Sequence, residues 1–436
     1  MTAQLDNSLA DTAERSGQQA APGQGTGYPS IAGLRDALLP PRRLARLTAH
    51  VVAGPNAKTY TDYAPFTGEP LAELPESSVD DVEVAFASAR AAQRAWAQVP
   101  AEDRAAVFLR FHDLVLARRD EALDLIGLES GKARAHANEE VLDVAITCRY
   151  YARRGPGLLR PQRRAGGLPL LTKTTELRHP KGVVGVISPW NYPLTLAVSD
   201  AIPALIAGNA VVLKPDSATA LTALWAVDLL MEAGLPEGIL KVVLGDGPVI
   251  GPAVVDGSDY IMFTGSTRVG REVAARCGQR LIGASMELGG KNAMIVCPDA
   301  SVDKAAEIAV RASYANTGQL CISMERIYVV EPLYQAFVDA FVERVNAMRV
   351  GPGLVWGVDM GSLISQKQLD TVVAHVSDAV EAGAQVLAGG RARPGAGPGP
   401  GAAAAARGGP AGRRRRRRGW GAGVGRGPRR GRGGGG

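Results

Sequence analysis

The chain has 436 residues, 46% of them hydrophobic and 21% charged, which is enough for more than one core and makes two domains the default expectation. The formal charge of +6 is misplaced if read over the whole chain. Residues 391–436 hold 13 arginines and no acid, so the remainder carries −7 (+6 less 13), and any nucleic-acid reading rests on that last stretch alone. Four cysteines (Cys148, Cys277, Cys297, Cys321) without a CxxC pair exclude a disulfide scaffold and a zinc ribbon, and fit a reducing compartment.

The opening segment has neither a basic region nor an apolar core, so it does not read as a signal peptide. The longest apolar stretch, 194–213, is broken by Asp200, Pro203 and Asn209 and does not read as a membrane span. A soluble, cytoplasmic protein is expected, with no membrane and no metal. Residues 1–44, and most clearly the Gly/Gln/Ala/Ser-rich 1–30, read as a disordered leader.

Residues 45–78 alternate Thr, Val, Tyr and Phe with Gly and Pro, which predicts short strands. Ser78 followed by Val79-Asp80-Asp81 predicts a helix start, and helical spacing continues to Arg154. Within it, Val107, Leu109, Leu114, Val115 and Leu116 are expected on one broad buried face. The alternating polar run at 158–180 predicts a β-hairpin outside the main core.

From Gly182 the pattern changes. GVVGVISP, AVVLKP, ILKVVLG and YIMFTG read as buried strands, and RLIGASMELGG as a further one. They alternate with helices at 197–206, 219–234 and 269–278, and a short helix follows the third strand. Apolar strands alternating with amphipathic helices give parallel βαβ units, hence an α/β fold with a Rossmann-like parallel-sheet cofactor domain over 45–290. A second α/β series runs from 291 to 390: NAMIVC, a helix at 303–316, ERIYVV, helices at 334–348 and 369–381, and a short strand at 386–390. It reads as an incomplete catalytic domain.

At Arg391 the composition collapses to Gly, Ala, Arg and Pro. A disordered nucleic-acid-binding arm is one reading, but such arms interleave aromatics for stacking, and here Trp420 stands by itself. The favoured reading is a GC-rich gene translated out of frame, since these four residues have codons of G and C only.

Certain residues carry chemistry. Cys321, in NTGQLCIS, would by default be a small buried hydrophobe. The polar Asn316, Thr317 and Gln319, with the permissive Gly318, place it instead at a loop–strand junction that a substrate can reach. Glu287, in SMELGGKN, lies between Met286 and Leu288 at the end of a buried-looking strand, where desolvation would raise its pKa and suit it to proton transfer. The bland alternative is a surface acid. Asn191, in SPWNYPL, is either a turn residue beside two prolines or an amide donor at the carboxyl end of a parallel strand, where such sheets bind ligands. Lys214 ends the next strand, and FTGSTRVG ends another with a G-x₄-G spacing that is weak by itself. Three such motifs at successive strand ends converge on one edge.

In this order, PWNYPL, KPDS, FTGSTRVGR, MELGGKN and GQLCIS resemble the aldehyde dehydrogenase superfamily, over about residues 45–390. The 34 residues from Glu287 to Cys321 fit that resemblance. It implies that Cys321 is the nucleophile, Glu287 the general base and Asn191 the oxyanion donor. It further implies that Trp190, Asn191, Lys214, Pro215, Asp216, Ser217, Gly265, Ser266 and Leu288 line a dinucleotide. The longer run is most similar to bacterial NADP-dependent succinate-semialdehyde dehydrogenases. NADP is expected as cofactor, with NAD possible, because relatives that prefer NAD commonly carry a glutamate where Ser217 stands. A small-molecule aldehyde is the expected partner, and intact relatives are homo-oligomers.

Two departures accompany the resemblance. Ser313, Tyr314 and Ala315 stand where some semialdehyde enzymes carry an arginine for the substrate carboxylate, and Arg311 lies further back. The family's later E-x-F-G-P motif and its C-terminal strand are absent. The first implies that the carboxylate is gripped from elsewhere or that the substrate differs; the second implies that the chain as written is inactive or poorly folded. A thioester-forming, acylating enzyme is a nearby alternative, disfavoured by the presence of Glu287.

Overall fold

The computed structural model describes residues 31–168 and 171–392; the expectations for residues 1–30 and for the arginine-rich segment from 393 onward lie outside them. Residues 31–44 are not a disordered leader. Helices α1 (Ile31–Leu38) and α2 (Pro41–Thr48) cover them, the second with proline in its first turn, where the missing N–H is not needed. Leu38, Leu39 and Leu47 are buried in the main core, and this apolar spacing outweighs the polar composition nearby.

Strands β1 (Thr59–Tyr63) and β2 (Pro70–Pro75) form an antiparallel pair. Helix α3 (Val79–Trp96) starts at Ser78 with a full capping box: Ser78 Oγ accepts from the Asp81 N–H at 3.1 Å, and the Asp81 carboxylate accepts from the Ser78 N–H at 2.8 Å. Helices α4 (Ala101–Ala117), α5 (Arg119–Ser130) and α6 (Arg134–Leu159) follow. The buried stripe of α4 is Arg104, Ala105, Val107, Phe108, Phe111 and Val115; Leu109 and Leu116 are exposed, correcting the broader face expected. The 3.6-residue repeat leaves both outside the buried stripe, at 38% and 39% exposure. Arg104 sits in that stripe because its guanidinium caps the carbonyls of Ile206 (2.8 Å) and the 96–99 turn. Strands β3 (Gln162–Arg164) and β4 (Thr174–Glu176) pair antiparallel, in the place expected for a hairpin.

The central sheet comprises β5 (Val183–Ile187), β6 (Ala210–Lys214), β7 (Leu240–Val242), β8 (Tyr260–Thr264) and β9 (Gly283–Glu287). Their order is β7-β6-β5-β8-β9 and every pairing is parallel. Successive side chains face opposite layers. Val184, Val186, Val211 and Leu213 join the large core with α9 (Ala220–Glu232), while Val183, Ala210 and Val212 pack on α3 and α10 (Gly247–Gly257). Helix α11 (Thr267–Arg280) covers β8 and β9 through Val273 and Cys277.

The single helix expected at 197–206 is two, α7 (Pro193–Val198) and α8 (Ala201–Ile206). Pro203 has no N–H to donate to Ser199 and its ring would crowd that carbonyl, so the chain breaks at Ser199-Asp200.

Strands β10 (Asn292–Val296) and β11 (Met324–Val329) form a separate parallel pair around α12 (Val302–Tyr314), followed by α13 (Glu331–Ala347) and α14 (Gln366–Glu381). No strand forms at 386–390: no described segment pairs with it. This half docks on the first through Gly131, which ends α5 at φ +69°. Its carbonyl accepts from the Ser362 N–H at 3.0 Å, and a side chain there would collide with Ser362. Among the described residues no helix is long and apolar enough to cross a membrane.

Candidate active site

Parallel strands end together. The register pairs Ile187 with both Lys214 and Phe263, and Thr264 with Glu287, so four loops emerge from one edge of the sheet. Residues 188–192 follow β5, 215–219 follow β6, 265–266 follow β8 and 288–291 follow β9. Ligands of open parallel sheets bind at this edge.

Lys214 is buried at the end of β6, and its ammonium donates to the Pro215 carbonyl at 3.2 Å. Burial pulls it below the usual lysine range, and Asp216 and Asp246 oppose that pull. Asp216 caps the following turn by accepting from the Ala218 N–H at 3.0 Å. Ser217 donates to the Gly245 carbonyl at 3.3 Å, and its own carbonyl accepts from the Tyr60 hydroxyl at 3.1 Å. Across the sheet, Ser266 caps α11 through the Val269 N–H, and the Gly265 N–H donates to the Glu287 carbonyl at 3.0 Å. A side chain at Gly270 would strike the methyl end of Leu288, so this glycine lets α11 lie close to the β9 loop.

Cys321 is exposed, on the turn before β11. The segment leading to it is unusual: Asn316, Thr317 and Gly318 all take left-handed conformations, at φ 49°, 59° and 72°. Asn191 meets this loop directly. Its side-chain amide donates to the Gln319 carbonyl at 3.0 Å, and its own carbonyl accepts from the Asn316 amide at 2.8 Å. Asn292, opening β10, donates to the Cys321 and Ser323 carbonyls at 2.6 and 3.0 Å. Gln319 accepts from the Ile364 N–H at 3.1 Å. The thiol therefore projects from a loop fixed on three sides. The other thiols differ: burial pushes Cys148 up to about 12 and also raises Cys277, and Cys297 is exposed away from such a loop.

Glu287 is where the motif placed it, at the end of β9, but it is exposed; the expected desolvation is absent. β9 is the edge strand of the sheet, so among the described residues one flank has no neighbouring strand. The perturbed acid nearby is Asp200, at the α7–α8 break. Burial, and then the negative charge of Glu287, lift its carboxyl to about 6. In the sequence Asp200 shows only as an interruption of an apolar run, and Lys132, His136 and Glu140, two of them buried and His136 half-buried, belong to no motif. Glu140 shares its helical face with Ala137, Val141 and Val144, and a charged residue on an apolar stripe was the available signal.

The sequence profile of the Aldehyde dehydrogenase family matches residues 52–405. The chain is 54% identical, over 329 residues, to a Mycolicibacterium smegmatis protein named "Putative succinate-semialdehyde dehydrogenase", NADP(+) type, covering 76% of this chain and 64% of that protein. It is 38% identical over 376 residues to phenylacetaldehyde dehydrogenase of Pseudomonas fluorescens, covering 84% and 74%. Among solved structures, succinate-semialdehyde dehydrogenase from Burkholderia pseudomallei superposes with a TM-score of 0.75 at 33% identity, over 78% of this chain and 71% of that one. An NADP-dependent enzyme of E. coli gives 0.76 at 32%, with the same coverage. The chain spans 64% of the length of its mycobacterial relative. A profile matched over most of the chain, on a parallel sheet whose strand-end loops meet a cysteine loop, places the chain in the aldehyde dehydrogenase family.

Proposed function

We propose that this chain oxidises an aldehyde to its carboxylic acid with NADP⁺ or NAD⁺, and that succinate semialdehyde is the substrate to test first. The observation that carries the reading is the junction of Asn191 with the Cys321 loop, an amide donor tied beside an accessible thiol.

Cys321 adds as thiolate to the aldehyde carbon, and the carbonyl π electrons move to oxygen. A primary amide has two N–H donors. Asn191 spends one on Gln319, and the second, with the Cys321 backbone N–H, is available to the oxyanion. Loss of hydride from that carbon leaves a thioester on Cys321. Glu287 then takes a proton from water, the hydroxide adds to the thioester carbon, and the C–S bond breaks to give acid and thiolate. The exposure of Glu287 suits contact with water.

The strand-end residues fit a dinucleotide. Lys214 is a buried cation with donors to spare, and the α11 N-terminus, capped by Ser266, lies at the same sheet edge. Lys214 and Ser217 would hold the adenosine ribose, with Pro215 and Asp216 shaping that turn. Trp190, Gly265, Ser266 and Leu288 would line the remainder. When bound, the nicotinamide supplies the acceptor for the hydride. Ser217 brings no charge against a 2′-phosphate, which favours NADP⁺. The smegmatis relative's name carries the same cofactor. Four free thiols accord with a cytoplasmic setting, and a homo-oligomer is the assembly to test.

The test is aldehyde-dependent NADPH production by the full chain and by Cys321→Ala. The departures in the sequence imply an inactive chain, but the described residues bring Asn191 and the accessible Cys321 loop together, so activity in the parent and none above background in the variant is expected. Equal rates in both would refute the assignment.

A further inference from the structure

Lys132 and Glu140 are fully buried and ion-paired to each other. Burial pushes the Glu140 carboxyl up and the Lys132 ammonium down, and their attraction opposes both shifts. Replacing such a pair by neutral groups of similar volume is often harmless to stability, so stability alone is a weak reason for its presence. Its contacts give a better one. A Glu140 carboxylate oxygen accepts from the Leu194 and Thr195 N–H groups at 2.9 and 3.2 Å, in the first turn of α7. The Glu140 backbone carbonyl accepts from the Thr195 hydroxyl at 3.3 Å. The fully buried Lys132 ammonium stands 3.5 Å from the centroid of the Tyr192 ring, a cation–π contact. Residues 192, 194 and 195 are thus gripped just after Asn191. One turn earlier on α6, His136 Nδ1 accepts from the Asn316 N–H at 3.2 Å, the same Asn316 whose amide holds the Asn191 carbonyl.

We infer that the Lys132–Glu140 pair is a positioning device for the Asn191–Tyr192 strap, fixing the Asn191 amide against the Cys321 loop so that it meets the oxyanion. This rests on the aldehyde reading above. Neither residue touches the reacting atoms. An anchor for α7 alone would need only the carboxylate. The ammonium adds a second constraint, on the residue adjacent to the oxyanion donor.

Single substitutions leave a buried charge unpaired and test folding as much as function. The decisive variant is therefore Lys132→Met/Glu140→Gln, which keeps the volumes and an acceptor for the α7 N–H groups. In the full chain, Cys321 is alkylated with iodoacetamide and followed by mass spectrometry, with increasing succinate semialdehyde as protectant. Alkylation needs the thiol but no oxyanion donor; hemithioacetal formation needs both. The expected result is an alkylation rate within about twofold of the parent, while the half-protecting aldehyde concentration rises roughly 10- to 100-fold. Unchanged protection in the double variant overturns the proposal. So does a parallel loss of alkylation, protection and melting temperature, which would mark a merely structural pair. A parent whose Cys321 is alkylated but never protected by the aldehyde overturns the aldehyde reading, and the positioning role with it.

Discussion

Asp200→Asn removes one charge and almost no volume, at the break between α7 and α8. The Asp200 carboxyl titrates at about 6, against an ordinary value of 3.8, because it is largely buried and because Glu287 carries like charge nearby. A raised carboxyl means that the folded chain holds a proton which the unfolded chain has released. Stability therefore falls as pH rises from about 3.8 through about 6, and the full penalty is present above that window. The difference converts to about 3 kcal/mol at about 1.4 kcal/mol per pH unit. The asparagine variant escapes this penalty. It should be more stable than the parent at pH 7.5 by up to about 3 kcal/mol, or roughly 5–10 °C in melting temperature for a domain of this size. The gap should close towards pH 4. Thermal unfolding followed by circular dichroism at pH 4, 5.5 and 7.5 provides the measurement. An offset of the same size at every pH would show that Asp200 does not carry a buried charge. In Glu287→Gln the same substitution should gain less, since the second source of the shift is gone.

The remaining predictions concern the chemistry. Glu287→Gln should retain a single-turnover burst of NADPH while steady-state turnover falls roughly 100-fold or more, within the range of general-base removal; loss of the burst as well would put Glu287 in the first half-reaction. Ser217→Glu should raise the Kd for NADP⁺ at least about tenfold, by setting a carboxylate against the 2′-phosphate, and should spare NAD⁺. Equal effects on the two cofactors, measured by fluorescence titration, would remove Ser217 from the ribose site. Cys148→Ala, Cys277→Ala and Cys297→Ala should each keep aldehyde oxidation within about threefold of the parent; a loss of burst in any of them with folding intact would displace Cys321 as the nucleophile.

The strands of the central sheet were legible because each is an uninterrupted apolar run closed by a turn, a pattern fixed by burial on both faces. The strand-end motifs were legible for a related reason: at the carboxyl edge the sequence leaves that apolar pattern for Asn191, Lys214, Gly265 and Glu287. What failed were inferences about neighbourhood. Glu287 follows an apolar segment and was expected to be buried, yet β9 lies at the sheet edge, and edge position is a property of strand order, which no local pattern encodes. Conversely, Glu140 on α6 and Lys132 in the turn before it are charged residues that are completely enclosed. Their partners, Tyr192 and the α7 amides, lie some fifty residues away, and only the folded chain brings them together. Residues 31–44 failed for the simplest reason. Two short helices with a few well-spaced leucines are enough to dock on a large core, and a composition average hides them.

A left-handed conformation costs a side-chain-bearing residue about 1–2 kcal/mol, so Asn316 and Thr317 together hold several kcal/mol of strain that an isolated loop would release. Asparagine tolerates that conformation; threonine, branched at Cβ, does not tolerate it readily. The strain persists because the surroundings over-determine the loop. Asn316 is bonded through its N–H to His136 and through its amide to Asn191, and the Thr317 hydroxyl donates to the Gly361 carbonyl at 3.2 Å. Each of those contacts comes from a different part of the chain: α6, the β5 loop, and the segment that docks against Gly131. The backbone of residues 316–318 therefore registers the correct assembly of all three, and Cys321 is presented beside Asn191 only when they are in place. Thr317→Gly should separate the two roles: it relieves the strain but deletes the Gly361 contact, so the melting temperature should stay nearly level while hydrogen exchange of the loop that carries Cys321 speeds up, and unchanged exchange there would refute the reasoning.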